Sequence, residues 1–114
     1  MDKREPILSV LFCRTEAGRE PVRDWLKALP PDERRIIGED LKTVQFGWPL
    51  GMPLVRKLTA GLWEVRSRLP ARIARVIFTA GAGEMILLHG FIKKSQRTPV
   101  EDLELAKNRL RMLK

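Results

Sequence analysis

Seven cations lie within and between two short stretches of the second half of the chain. Arg66 and Arg68 belong to GLWEVRSR at 61–68, Arg72 and Arg75 follow it, and Lys93, Lys94 and Arg97 belong to LLHGFIKKSQRTP at 87–99. Glu64 is the one carboxylate inside the two stretches. Arginine stays protonated and its planar donors can grip a phosphate at two points at once. Lysine can move a proton only where neighbouring cations and burial lower its pKa. Side chains of these types, gathered on one surface, would hold a polyanion and, with a depressed lysine, act as acid or base on it.

The charge balance points the same way. Residues 1–50 carry nine Lys or Arg against nine Asp or Glu, and residues 51–114 carry thirteen against five, so the second half accounts for the whole net charge of +8. A cationic surface attracts polyanions and steers them into place, which makes nucleic acid the expected partner. At 114 residues with 44% apolar and 32% charged residues, the chain fits one globular domain, 1–114. Lys3 and Arg4 precede an apolar run from Ile7 to Cys13, but Ser9 interrupts it and no small-residue cleavage site follows, so it reads as a strand. No stretch reaches the roughly 20 apolar residues of a membrane span, and a cytoplasmic location without membrane contact is expected. The single cysteine, Cys13, has no intrachain disulfide partner and reads as a small buried residue. One histidine and one cysteine fall short of the usual metal-ligand clusters, so neither a metal nor a small-molecule cofactor is expected.

The elements that must position the cations follow from periodicity. Ile7 to Phe12 is a first strand. Val22, Trp25, Leu26 and Leu29 recur at helical spacing until Pro30 and Pro31, and a second helix carries Ile37, Leu41 and Val44 on its buried stripe and ends at Gly47. Leu54 to Leu58, Leu62 to Leu69, Arg72 to Thr79 and Met85 to Phe91 are short, β-rich and separated by Gly or Pro. Tight connections of this kind favour antiparallel pairing. Thr98, Pro99 and Glu101 form a capping box for a terminal helix whose apolar face is Val100, Leu103, Ala106, Leu110 and Leu113. The predicted fold is α+β: a small, mainly antiparallel sheet of about four strands with an N-terminal helical hairpin and a C-terminal helix.

Alternation along 62–69 places Trp63 and Val65 on the core side and Glu64, Arg66 and Arg68 on the other. Arg75 sits between Ile73 and Ile77, where a cation is costly unless it is paired or faces a wet cleft. Solvated surface charge is the plain alternative for the cluster. His89, as a lone histidine in a strand, is equally suited to a structural role, Phe91 to a core one, and Glu64 either to orienting Arg66 or Arg68 or to standing as a solvated carboxylate.

Lys57, Leu58, Gly61, Leu62, Trp63, Glu64, Arg66 and Arg75, followed by His89, Gly90, Phe91, Lys93, Lys94, Thr98 and Pro99, resemble the RelE/ParE toxin superfamily and most closely its phage-derived HigB-like subgroup. The specificity lies in the pairing of the GLWEVR and HGFIKK blocks at this separation. The resemblance implies a RelE-like fold and a type II toxin–antitoxin system, with a cognate helix-turn-helix antitoxin as partner. It also implies cleavage of messenger RNA on the ribosome. Ala74 and Phe78 depart from the family pattern, which often has tyrosines there, and the chain contains no tyrosine.

Cleavage through the RNA 2′-hydroxyl needs a base, cations for the charged phosphorane and an acid for the departing 5′-oxygen. Arg66 and Arg75 are assigned to the scissile phosphate and Lys93 or Lys94 to proton transfer, with His89 as the rival base. Lys57, Arg68, Arg72, His89, Phe91 and Arg97 are the expected RNA contacts. Two other readings share the fold: a ParE-like gyrase inhibitor that does no chemistry, and an inactive nucleic-acid-binding accessory protein.

Overall fold

A computed structural model describes residues 5–94 and 96–113, so Lys3 and Arg4 lie outside the described residues. The elements run β1 (Ser9–Phe12), α1 (Pro21–Lys27), α2 (Pro31–Gly47), β2 (Val55–Thr59), β3 (Leu62–Arg68), β4 (Ile73–Gly81), β5 (Glu84–Ile92) and α3 (Val100–Met112). They form the predicted α+β architecture, with five strands in the order β1-β5-β4-β3-β2 where about four were expected. The β2 to β5 pairings are antiparallel, and β1 adds to β5 in parallel, with Ser9 opposite Glu84 and Phe12 opposite Leu87.

The two faces of the sheet carry different cores. On one face α1 and α2 cover Val55, Val65, Ala74, Val76, Phe78, Met85 and Leu87, and Val22, Ile37, Leu41 and Val44 supply the helical side of the contact. Edge-on packing of Trp48 against Trp63 and Phe78, at 5.1 and 5.6 Å between ring centroids, closes the β2 side of this core. Aromatic pairs at such separations and angles add to simple area burial. On the other face α3 lays Leu103, Ala106 and Leu110 on a smaller cluster of Leu62, Ile77 and Leu88. Val100 and Leu113, expected on the buried stripe of α3, are exposed, Val100 at 74%.

Both helices of the N-terminal hairpin begin at proline, whose fixed φ suits a first helical turn. The expected glycine stop at Gly47 is not of the left-handed kind. Trp48 ends α2 in an extended conformation (φ −56°, ψ 138°), as the residue before a proline must leave the helical region. The β4–β5 hairpin turns through Ala82 and Gly83, both at positive φ (52° and 76°), which is the two-residue geometry that matches strand twist. Gly90 is required for a different reason. A Cβ there would lie 3.0 Å or less from ring carbons of Trp25, so the missing side chain lets α1 settle on β5.

Candidate functional site

Strand alternation gathers some of the expected cations on the face that α3 only partly covers. On β3 this face holds Leu62, Glu64, Arg66 and Arg68. On β4 it holds Ile73, Arg75 and Ile77, with Arg66 directly opposite Arg75 and Arg68 opposite Ile73. Strand β2 contributes Arg56, half-buried and opposite Glu64. At the end of β5 the backbone amide of Lys93 donates to the carbonyl of Ile73 at 2.7 Å, which extends the ladder by one residue and sets Lys93 beside the β3–β4 end.

At the centre is a polar network built on a fully buried ion pair. Arg75 and Glu64 are both at 0% exposure, with Arg75 Nε 3.6 Å from Glu64 Oε1. Arg75 Nη2 donates to the Gln96 carbonyl at 3.0 Å, and Nη1 donates to Thr98 Oγ1 at 3.4 Å. The Thr98 hydroxyl in turn donates to Glu64 Oε2 at 3.0 Å. Burial holds the Arg75 guanidinium below its ordinary arginine range; Glu64 opposes the shift, and Arg66 and Arg56 add to it. Two sequence expectations are corrected here. Thr98 does not cap α3: the N-cap position is Pro99 with no side-chain bond, because the Thr98 hydroxyl is engaged with the buried pair. Glu64 orients neither Arg66 nor Arg68, since its partners are Arg75 and Thr98. Arg75, assigned to the phosphate, has its guanidinium inside the protein and presents its charge from beneath the surface.

The surface above that buried charge is formed by Arg66, Arg68 and Lys93. Arg66 is half-buried, and its Nε has no hydrogen-bond partner among the described residues. Arg66 and Arg68 also border a cleft with Pro53, Leu54 and Asp40. Lys93 is half-buried, and its amine is held below the usual lysine value by burial, then by Arg66, Arg75 and Arg68, with Glu64 acting the other way. The sequence left Lys93 and Lys94 equivalent; both border a groove with Ile73 and Gln96, but they differ in burial. Lys94 is exposed and lines a groove beside Trp25, Glu101 and Asp102.

The remaining expected RNA contacts divide. Arg97 is exposed in the loop before α3. Arg72 makes a two-point bond to Glu33 of α2, at 2.7 and 3.2 Å, and that hydrogen bond raises its pKa. Lys57 pairs across from Trp63 and lies 5.5 Å from that ring on the α2 face, away from Arg66. His89 Nε2 is 2.6 Å from Asp102 Oδ1 of α3 and stacks on Phe91 at 5.4 Å, while Phe91 packs against the α3 core. Both rings are thus occupied in seating the helix. Sequence reasoning missed Arg56, because consecutive charges in VRKLT hide which of them shares the face of Arg66. The departures from the tyrosine pattern fall elsewhere: Ala74 and Phe78 are both fully buried on the α1–α2 face, remote in orientation from the cations. Cys13 is buried, and that burial raises its thiol pKa. Among the described residues no three of His, Cys, Asp and Glu stand together as metal ligands would. No helix among them is long and apolar enough to cross a membrane.

A small α+β fold whose antiparallel sheet presents a cationic corner beside a C-terminal helix defines the class. Residues 24–111 match the family of phage-derived Gp49-like proteins, and the chain belongs to that family. It is a family of RelE-like toxins, related to toxin–antitoxin systems, which suggests an antitoxin as partner. Comparison with curated proteins gives no match.

Proposed function

We propose that this protein is the toxin of a type II toxin–antitoxin pair and that it cuts messenger RNA on the ribosome, without a metal, through the RNA 2′-hydroxyl. The HigB-like subgroup is the form of RelE-like toxin that this reading adopts. The observation that carries it is the corner at which Lys93, its amine depressed by its surroundings, stands with Arg66 and Arg68 over the buried charge of Arg75. In this reading the 2′-oxygen attacks phosphorus, the bond to the 5′-oxygen breaks, and the products are a 2′,3′-cyclic phosphate and a 5′-hydroxyl. Arg66, half-buried at the surface of the corner, grips a non-bridging oxygen with its guanidinium, where developing charge is greatest. Lys93 carries the proton transfer that a lysine of ordinary pKa would perform poorly. Arg68, Arg56 and Arg97 hold flanking phosphates, and the ribosome supplies the alignment that a site with so few acid–base groups lacks. The antitoxin, a helix-turn-helix protein in this subgroup, keeps the activity silent in the cytoplasm.

The test is primer extension on a defined messenger RNA with the purified protein, with and without programmed ribosomes. Cuts confined to the A-site codon, and only with ribosomes, are expected, and Lys93→Met should remove them. Folded protein that arrests growth yet cuts in neither reaction would overturn the reading in favour of gyrase inhibition.

A further inference from the structure

The loop that follows Lys93 is fastened to the sheet by polar bonds from a single place. Arg75 Nη2 holds the Gln96 carbonyl, and the Thr98 hydroxyl stands between Arg75 Nη1 and Glu64 Oε2. Behind the loop, the amide of Lys93 is fixed to Ile73. Both ends of the segment that carries Lys93 are therefore tied to the sheet, one to β4 through the ladder and the other to β4 and β3 through Arg75 and Glu64. The threonine hydroxyl suits this role because a single oxygen can accept from a guanidinium and donate to a carboxylate. Valine has the same outline and can do neither.

We infer that Thr98 and Glu64 are positioning residues for Lys93. Thr98 locks the loop so that the Lys93 amine stays among the arginines, and Glu64 sets how much of their positive field reaches it. The charged groups facing Lys93 are Arg66, Arg68 and Glu64 from β3 and Arg75 from β4. Its own segment adds Lys94 and Arg97. Glu64 is the one carboxylate in that set. Buried and shared between Arg75 and Thr98, it balances one cation and leaves the others in excess. The catalytic consequence rests on the ribonuclease reading, and the placement of Lys93 does not.

The test follows Lys93 directly, by NMR titration of its side-chain amine in the full-length protein, and follows cleavage on programmed ribosomes in parallel. The wild type is compared with Thr98→Ser, Thr98→Val and Glu64→Gln, each checked for folding by thermal unfolding. Thr98→Ser is expected to keep both the titration point and the rate. Thr98→Val should move the Lys93 titration back toward the ordinary lysine range and lower kcat on the order of 10- to 100-fold with KM little changed, as a misplaced group does. Glu64→Gln keeps an acceptor for Thr98 but removes the opposing charge, so the titration should fall further. A Thr98→Val protein with unchanged titration and kcat, or a Thr98→Ser protein that loses as much as Thr98→Val, overturns the inference. Should Thr98→Val not fold, an unmoved titration in Glu64→Gln overturns it equally. If the wild type cuts no RNA while the titrations shift as described, the ribonuclease reading fails and the positioning stands.

Discussion

At the scale of single residues, Arg75 holds its charge inside the protein, paired with Glu64, while Lys93 stands half-buried at the end of the strand beside it. An arginine flanked by isoleucines on a strand is visible in the sequence as an anomaly, and the anomaly is real. Its direction is not visible, because alternation tells which face a side chain takes and not whether that face is wet. Arg75→Ala would leave Glu64 fully buried without its cation, and breaking a buried pair in this way costs about 3–5 kcal/mol. Urea unfolding should therefore register Arg75→Ala as a large loss of stability, so loss of toxicity in that variant is no evidence of contact with substrate. Lys93→Met is the cleaner probe of chemistry. It should lower the cleavage rate by about 10²-fold or more while leaving stability within roughly 0.5 kcal/mol. Thr98 shows why a local signature can mislead: the sequence pattern of a capping box is present, but a buried carboxylate makes a stronger claim on the hydroxyl than an exposed helix end.

At the scale of elements, the helical stripes of α1 and α2 and the alternation of β3 and β4 were legible because one face of each is apolar and the other is not. Strand β2 was only partly legible, since Arg56 and Lys57 are adjacent and the bulge between Lys57 and Thr59 shifts the register. The parallel partner of β1 could not be read at all, for nothing local in SVLF specifies which strand edge it joins. Two glycine-dependent joints invite tests. Gly90→Ala should cost about 1–3 kcal/mol, because the methyl group meets the Trp25 ring and α1 must shift. Ala82 occupies a left-handed position that asparagine tolerates better, so Ala82→Asn should raise stability by about 0.5–1 kcal/mol in the same unfolding assay.

At the scale of the whole molecule, part of the cation excess of the second half is drawn into one corner, because β2, β3, β4 and the end of β5 are neighbours. Arg56, Arg66, Arg68 and Lys93 are the surface members of that corner. If single-stranded RNA contacts all four, the logarithm of its binding constant should fall with the logarithm of salt concentration at a slope of about −3. Fluorescence anisotropy with a short RNA across a salt series measures this, and a slope near zero would remove electrostatics as the basis of binding. The cluster was legible in the sequence as charge. Its boundary was not, since Arg72 is consumed by Glu33 and Lys57 lies on the other side of the sheet.

The parallel seat of β1 on β5 also governs how the chain assembles. Ser9 and Glu84 belong to the first and last strands, so the order of synthesis separates them by about two-thirds of the chain. Hairpins β2–β3 and β4–β5 can close as soon as they emerge, whereas β1 must hold Val10, Leu11 and Phe12 unpaired until residues 84–87 have been made. Contacts between such distant positions form late and slowly. Until they do, the outer edge of β5 is a bare strand edge, open to pairing with any other chain. For a newly made molecule, the hazard of aggregation is therefore concentrated at the Glu84–Leu87 edge, opposite the end of β5 where Lys93 stands.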